Sequence, residues 1–154
     1  WAAPFERLSQ SWRTVTYDHR GTGATRHSAP AITFDLLVGD LFRVLDALNI
    51  DTCVLAAESM GAMVALEAAL RHPERFTGLV IVGGRYSGAR IITLPTLVLH
   101  GRQDVIAPLA SSERLVELVA GSKLVVAEDA GHVPTVTRPN WVAREINAFF
   151  AAPA

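Results

Sequence analysis

The chain has 154 residues, of which 50% are hydrophobic and 19% charged, and its formal net charge is −1. This apolar content excludes a disordered chain, since disorder combines low hydrophobicity with high net charge, and the length suits one domain. The near-zero net charge argues against nucleic-acid and anionic-membrane partners. No apolar run approaches the roughly 20 residues that span a bilayer. The single cysteine, Cys53, excludes an internal disulfide and a thiolate pair for a metal. These features favour a reducing, cytoplasmic compartment.

Short β-rich runs alternate with longer helical patterns along the chain, which is typical of a parallel sheet covered by helices. Five runs are predicted as strands: Arg13–Tyr17, Thr52–Ala57, Phe76–Val82, Thr96–His100 and Lys123–Ala127. The second run is apolar throughout, as expected of a strand that is covered on both faces. The expected fold class is α/β, with a mostly parallel sheet flanked by about four helices.

Apolar residues at helical spacing separate these strands. Thr33 is a candidate N-cap for the first long helix, and Ser111 for a later one. The run Met60–Arg71 is nearly free of charge and is predicted as a deeply packed helix that stops before a proline. The last helix is expected to begin near Pro139.

Ser59 lies between the second predicted strand and the helix that follows it. The segment Ala57-Glu58-Ser59-Met60-Gly61 has small residues two positions before and after the serine, which suits a sharp strand-to-helix turn. Such a turn lifts the serine hydroxyl above the sheet edge, and the backbone N–H of Met60 points at developing negative charge. Ser59 is therefore a candidate nucleophile. The alternative, a serine that only caps a helix, remains open.

Two later residues could complete a catalytic triad with this serine. Asp104 follows the strand Thr96–His100, and His132 follows the strand Lys123–Ala127. Because the carboxyl ends of parallel strands share one edge of a sheet, both side chains are expected beside the serine. A serine nucleophile needs a base, and the base needs an orienting acid. Each residue alone could be an ordinary loop residue, but the three together favour a triad.

Four motifs, in order along the chain, resemble those of the α/β-hydrolase superfamily. The segment from Asp18 to Gly23 is similar to the D-x-R-G-x-G turn of that family, and the pentapeptide around Ser59 to its nucleophile elbow. Pro95 to Asp104 resembles the acid-bearing strand, and Gly131-His132-Val133-Pro134 resembles the histidine loop. The order Ser, Asp, His is also that of the family.

The resemblance implies a role for each of these residues. Ser59 would be the nucleophile, His132 the general base and Asp104 the orienting acid, with the Met60 N–H stabilising an oxyanion. A small-molecule carbonyl substrate, an ester or a lactone, would be cleaved through an acyl-enzyme without a metal or organic cofactor. Two alternatives stay open: a cofactor-free haloperoxidase or C–C bond hydrolase with the same triad, and a ligand-binding or signalling protein on a hydrolase scaffold.

The sequence departs from the family pattern at two places. Family members normally carry strands before the D-x-R-G-x-G turn, one of which supplies a second oxyanion donor, whereas residues 1–12 resemble the helix that follows those strands. Most relatives also insert a helical cap where residues 84–95 stand here. Residues 1–154 are therefore expected to be a single, incomplete hydrolase core, and not the whole working protein.

Other polar groups are weaker candidates. The acidic, basic and histidine side chains of residues 18–27 could suggest a metal or phosphate site, but the resemblance gives this turn a structural role. The glycines lack the G-x-G-x-x-G spacing of a dinucleotide site. Glu58 could tune the nucleophile or be a structural group, and His100 is expected to pack or to hydrogen-bond near the acid-bearing strand.

Overall fold

The computed structural model describes residues 1–28, 31–84 and 92–151. Its strands are β1 (Cys53–Glu58), β2 (Phe76–Val82), β3 (Thr96–Gly101) and β4 (Lys123–Ala127). Its α-helices are α1 (Ala2–Leu8), α2 (Phe34–Ala47), α3 (Met60–Arg71), α4 (Leu109–Leu118), α5 (Pro134–Thr137) and α6 (Pro139–Phe150). A single 3₁₀ turn, Pro73–Arg75, precedes β2. None of the helices in these described ranges is long and apolar enough to cross a membrane.

The four strands form one parallel sheet in the order β1-β2-β3-β4. Its register aligns the carboxyl ends of the strands, since Glu58 lies opposite Val82 and Gly101 lies opposite Ala127. The loops that follow β1, β3 and β4 therefore emerge at the same edge. The predicted α/β class with a mostly parallel sheet is confirmed.

Helices cover both faces of the sheet. On one face α2, α3 and α4 pack against Leu79, Ile81 and Val98, and on the other α1 and α6 pack against the alternate residues of β2 and β3. Because successive strand residues point to opposite faces, a strand buried on both sides is apolar at every position. The middle of each central strand meets this condition, since Leu79 to Val82 of β2 and Leu97 to Leu99 of β3 are apolar and fully buried.

The predicted first strand, Arg13–Tyr17, is wrong. In the structure this segment is irregular and has no ladder partner among the described residues. A strand needs a neighbour for its backbone groups, and no described strand lies between this segment and β1. The segment is held instead by side chains, since Trp12 Nε1 donates to Asn147 Oδ1 at 2.8 Å and the guanidinium of Arg13 donates to the Leu48 carbonyl at 3.1 Å.

The expectation of a fully covered strand at Thr52–Ala57 also needs correction. The strand forms one residue later, and all six of its residues are only partly buried. Within the described ranges it is an edge strand that pairs with β2 alone. Its apolar sequence is that of a central strand, so its partial burial reflects the lack of a second neighbouring strand in the described part of the chain and not its composition.

The predicted boundaries of α2, α3 and α6 agree with the structure to within about two residues, whereas the start of α4 differs and the short helix α5 was not predicted. Thr33 caps α2, accepting a hydrogen bond of 3.3 Å from the Leu36 N–H. Ser111 is not a cap, because α4 begins two residues earlier, after Pro108, whose ring fixes φ and leads directly into the helix. The predicted point of cap insertion, 84–95, falls mostly on residues 85–91, which lie outside the described residues.

Candidate active site

Ser59 occupies a strained turn between β1 and α3. Its φ of 53° and ψ of −119° lie in a region that residues other than glycine rarely adopt. The turn is held by the Ser59 N–H, which donates to the Val82 carbonyl at 2.9 Å. The side chain makes no capping hydrogen bond to α3, so the alternative of a serine that only caps the helix does not fit this geometry. Its hydroxyl is directed elsewhere.

The Ser59 hydroxyl is hydrogen-bonded to the ring of His132. Its Nε2 lies 2.9 Å from Ser59 Oγ, and its Nδ1 lies 2.8 Å from Asp104 Oδ2. An ionised carboxylate only accepts hydrogen bonds, so Nδ1 carries the proton and Nε2 is free to accept from the serine. The three residues singled out by sequence therefore form one continuous hydrogen-bonded chain.

Asp104 is held rigidly at the far end of this chain. Its side chain is 1% exposed, and its Oδ1 accepts from the N–H groups of Ile106 at 2.8 Å and Ala107 at 2.9 Å. Burial by itself would raise the pKa of this carboxyl, but the hydrogen bonds from Ala107, His132 and Ile106 outweigh it and hold the pKa below its ordinary value. Asp104 is therefore a carboxylate with one oxygen left for the histidine.

A close backbone approach brings the aspartate and histidine loops together. The Gln103 N–H donates to the Ala130 carbonyl at 2.9 Å, and a side chain at Gly101 would collide with the carbonyl oxygen of Gly131. Only glycine permits this contact. By contrast, a methyl group at Gly61 would meet the Ala57 side chain at an ordinary 3.7 Å, so the elbow is less crowded than its sequence suggests.

Glu58, directly before the candidate nucleophile, is tied to the histidine loop. Its Oε2 accepts a hydrogen bond of 2.7 Å from the hydroxyl of Thr135, while its buried Oε1 has no partner among the described residues. Burial raises the pKa of Glu58, and the hydrogen bond from Thr135 offsets this only in part. Thr135, 1% exposed, was not singled out by sequence, because no spacing shows that α5 faces the end of β1.

The D-x-R-G-x-G turn has structural contacts. Asp18 Oδ2 accepts from the Ala24 N–H at 2.9 Å, and a side chain at Gly23 would collide with that carboxylate. Arg20 makes two hydrogen bonds of 2.6 Å to Asp40. In the described ranges no cluster of three potential metal ligands occurs, here or elsewhere. The alternative metal or phosphate reading of this turn gains no support.

A groove of about 1340 Å³ separates the free edge of β1 from residues 13–19. It is lined by both of these segments and, where β1 ends, by Glu58, Ser59 and Met60. As the first residue of α3, Met60 has a backbone N–H that no helical carbonyl can reach. This N–H is thus available near the serine hydroxyl.

Comparison with protein families agrees with this architecture. Residues 1–91 match the family described as alpha/beta hydrolase fold, and residues 85–154 match the family described as TAP-like protein. The chain is 39% identical over 85 residues to a putative carbamate hydrolase, RutD, of Caulobacter vibrioides, and 36% identical over 85 residues to the protein of the same name from Pantoea ananatis. These matches cover 54% of the chain but only 32% and 31% of the relatives.

Solved structures share the fold at low sequence identity. A meta-cleavage product hydrolase from Pseudomonas fluorescens superposes with a TM-score of 0.90 at 20% identity, covering 97% of this chain and 84% of that one. A thermophilic esterase from Thermogutta terrifontis superposes with a TM-score of 0.89 at 21% identity, covering 96% and 83%. A putative non-heme bromoperoxidase from Mycobacterium tuberculosis gives 0.79 at 19% identity, covering 88% and 80%.

Proposed function

The chain belongs to the α/β-hydrolase fold family, and from that premise we propose that it is the core of a serine-nucleophile hydrolase. The observation that carries the proposal is the continuous chain from Ser59 Oγ through His132 to Asp104, with distances of 2.9 and 2.8 Å. These contacts have the geometry that nucleophilic catalysis requires. The strained backbone of Ser59 is a second feature typical of a nucleophile elbow.

In the proposed reaction Ser59 Oγ attacks the carbonyl carbon of the substrate, and its proton passes to His132 Nε2. Asp104 keeps the imidazole in the required tautomer and stabilises the imidazolium that forms. The Met60 N–H donates to the oxyanion. When the tetrahedral intermediate collapses, the proton on His132 goes to the leaving alcohol. Water, activated by the same histidine, then releases the acid and restores the serine.

The substrate class proposed is a small, uncharged ester or lactone. Exposed apolar side chains lie one or two positions along the chain from these three residues: Met60, Val105, Ile106 and Val133. Exposed apolar groups so close in sequence to the three residues favour a neutral, weakly polar acyl compound over a charged one. A carbamate is a second candidate, because the relatives matched over 85 residues are named as putative carbamate hydrolases and a carbamate carbonyl can be attacked in the same way.

Active-site labelling tests the proposal directly. Incubation with a fluorophosphonate should add one adduct to the intact mass and abolish hydrolysis of a chromogenic short-chain ester. Ser59→Ala should prevent both, whereas Ser9→Ala, which removes an exposed hydroxyl bonded to the Glu6 carbonyl, should prevent neither. An unlabelled wild-type protein, or ester hydrolysis that survives in Ser59→Ala, would refute Ser59 as the nucleophile.

A further inference from the structure

His100 is a fully buried histidine at the end of β3, and both of its ring nitrogens are hydrogen-bonded. Its Nδ1 lies 2.8 Å from Ser112 Oγ on α4, and its Nε2 lies 2.9 Å from the Ala107 carbonyl oxygen. The proposed reaction has no step for this ring. Its position nevertheless links the sheet, the helix that follows and the loop carrying Asp104.

The partners of the ring determine its tautomer. A carbonyl oxygen only accepts hydrogen bonds, so Nε2 must carry a proton to bond Ala107. In the neutral ring Nδ1 is then an acceptor, and the Ser112 hydroxyl, which is itself fully buried, donates to it. The imidazole therefore connects α4 to the loop that follows Asp104 through two hydrogen bonds, one accepted from Ser112 and one donated to the Ala107 carbonyl.

These hydrogen bonds of His100 affect the orientation of the Asp104 carboxylate. His100 holds the carbonyl of Ala107, and the N–H of the same residue donates to Asp104 Oδ1. With Oδ1 occupied by backbone, Oδ2 is left for His132. His100 Nε2 lies 3.7 Å from that oxygen, too far for a hydrogen bond, so it does not compete with His132.

We propose that His100, with Ser112 behind it, is a positioning residue for Asp104: it fixes residues 104–107 so that one carboxylate oxygen faces His132. This role rests on the proposed function of Ser59, His132 and Asp104. It predicts a loss in the chemical step, because the ring acts through the carboxylate and does not itself line the groove described above. A ring that only fills the core would affect stability instead.

Four variants separate these roles. Ser112→Ala removes the donor to Nδ1, and His100→Leu removes both hydrogen bonds. His100→Gln keeps an amide N–H that can reach the Ala107 carbonyl. Thr96→Val is the matched control, because Thr96 is equally buried on the same strand and donates its hydroxyl to the Leu94 carbonyl, away from Asp104.

The measurements are kcat and KM for a chromogenic ester, the rate of fluorophosphonate labelling and the melting temperature of each variant. Ser112→Ala should lower kcat about fivefold, the value of one net hydrogen bond, with little change in KM. His100→Leu should lower kcat and labelling about 10²-fold, as displacement of a catalytic group does. His100→Gln should recover much of this loss, and Thr96→Val should keep the wild-type kcat despite a lower melting temperature.

Several outcomes would overturn the proposal. One is a wild-type kcat in Ser112→Ala, and another is a Thr96→Val variant that loses as much kcat as Ser112→Ala at equal loss of stability. A folded His100→Gln no more active than His100→Leu would also do so. If His100→Leu does not fold, Ser112→Ala and His100→Gln decide alone. Failure of the triad itself is recognised separately, since the wild-type protein would then show neither labelling nor turnover.

Discussion

The hydroxyl of Thr135 donates a hydrogen bond of 2.7 Å to Glu58 Oε2, so the helix after His132 is tied to the residue before Ser59. This contact joins the turn that carries the proposed nucleophile to the loop that carries the proposed base. The two segments are 77 residues apart in the chain. The distance between the two segments thus depends on a partly buried contact between a hydroxyl and a carboxyl group.

Thr135→Val should therefore both destabilise the fold and slow the reaction. Removal of the hydroxyl takes away the hydrogen bond that Glu58 Oε2 accepts from it, and the loss of such a bond at a buried acceptor costs about 1–3 kcal/mol. We expect a lower urea midpoint and a reduced kcat. Thr137→Val is the control, since the exposed hydroxyl of Thr137 makes only a 3.3 Å bond to the Val133 carbonyl. Equal effects of the two variants would contradict the prediction.

Glu58 should make stability depend on pH with a defined sign. Burial raises its pKa in the folded state, so the folded protein binds this proton more tightly than the unfolded chain. Its contribution is fully present below the pKa of the unfolded chain and is lost as pH rises through the folded pKa. Glu58→Gln should thus gain stability relative to wild type as pH increases from about 4 to 8.

Urea unfolding of both proteins across that range measures the difference. Glu128→Gln provides a contrast of opposite sign. The hydrogen bond from Arg102 holds the pKa of Glu128 below its ordinary value, so its contribution is present at higher pH and is lost as pH falls through the folded pKa. A pH-independent difference between wild type and Glu58→Gln would be evidence against a raised pKa of Glu58.

The proposed triad should behave as a unit. Ser59→Ala and His132→Ala should each lower kcat by several orders of magnitude, and the double variant should lose little more. Asp104→Asn should lower kcat about 10⁴-fold, because an amide N–H facing His132 favours the wrong tautomer. Steady-state kinetics on all four variants measure this. Losses that multiply in the double variant would indicate that the residues act independently.

Gly101→Ala should increase the separation between the loops that carry Asp104 and His132. The added methyl group collides with the Gly131 carbonyl oxygen, and the clash can be relieved only if one of the two backbone segments moves. We therefore expect the free energy of unfolding to fall by about 1–3 kcal/mol and kcat to fall as well. Gly39→Ala is the matched control. Gly39 lies within α2, an added Cβ there meets nothing within 4 Å, and the change should stabilise the protein by about 1 kcal/mol. Chemical denaturation of both variants checks the pair.

The free edge of β1 should exchange its amide protons faster than β2 and β3. Its outer side faces the groove, while both central strands are paired on two sides. Hydrogen–deuterium exchange of the 154-residue chain, resolved by peptide, measures this. Slow exchange along β1 would mean that another segment pairs with this edge. Fast exchange would mean that this edge of β1 stays unpaired in solution.

Local pattern was enough to predict much of this protein. The alternation of strands and helices, the turn around Ser59 and the loops after β3 and β4 were all predicted, because periodicity and turn residues act over a few positions. The parallel order of the strands then required Ser59, Asp104 and His132 to share one edge.

Contacts between distant segments were decided only by the tertiary structure. Arg13–Tyr17 has a strand-like sequence but forms no strand, and β1 has a central-strand sequence but lies at the edge of the sheet. Pairing depends on a neighbouring segment, and the described residues place none between these two. The bonds of His100 to Ser112 and Ala107, and of Glu58 to Thr135, join elements whose relative placement follows from packing of the whole sheet. Such polar contacts have no characteristic spacing in the sequence that would predict them, because their partners come together only when the whole core packs.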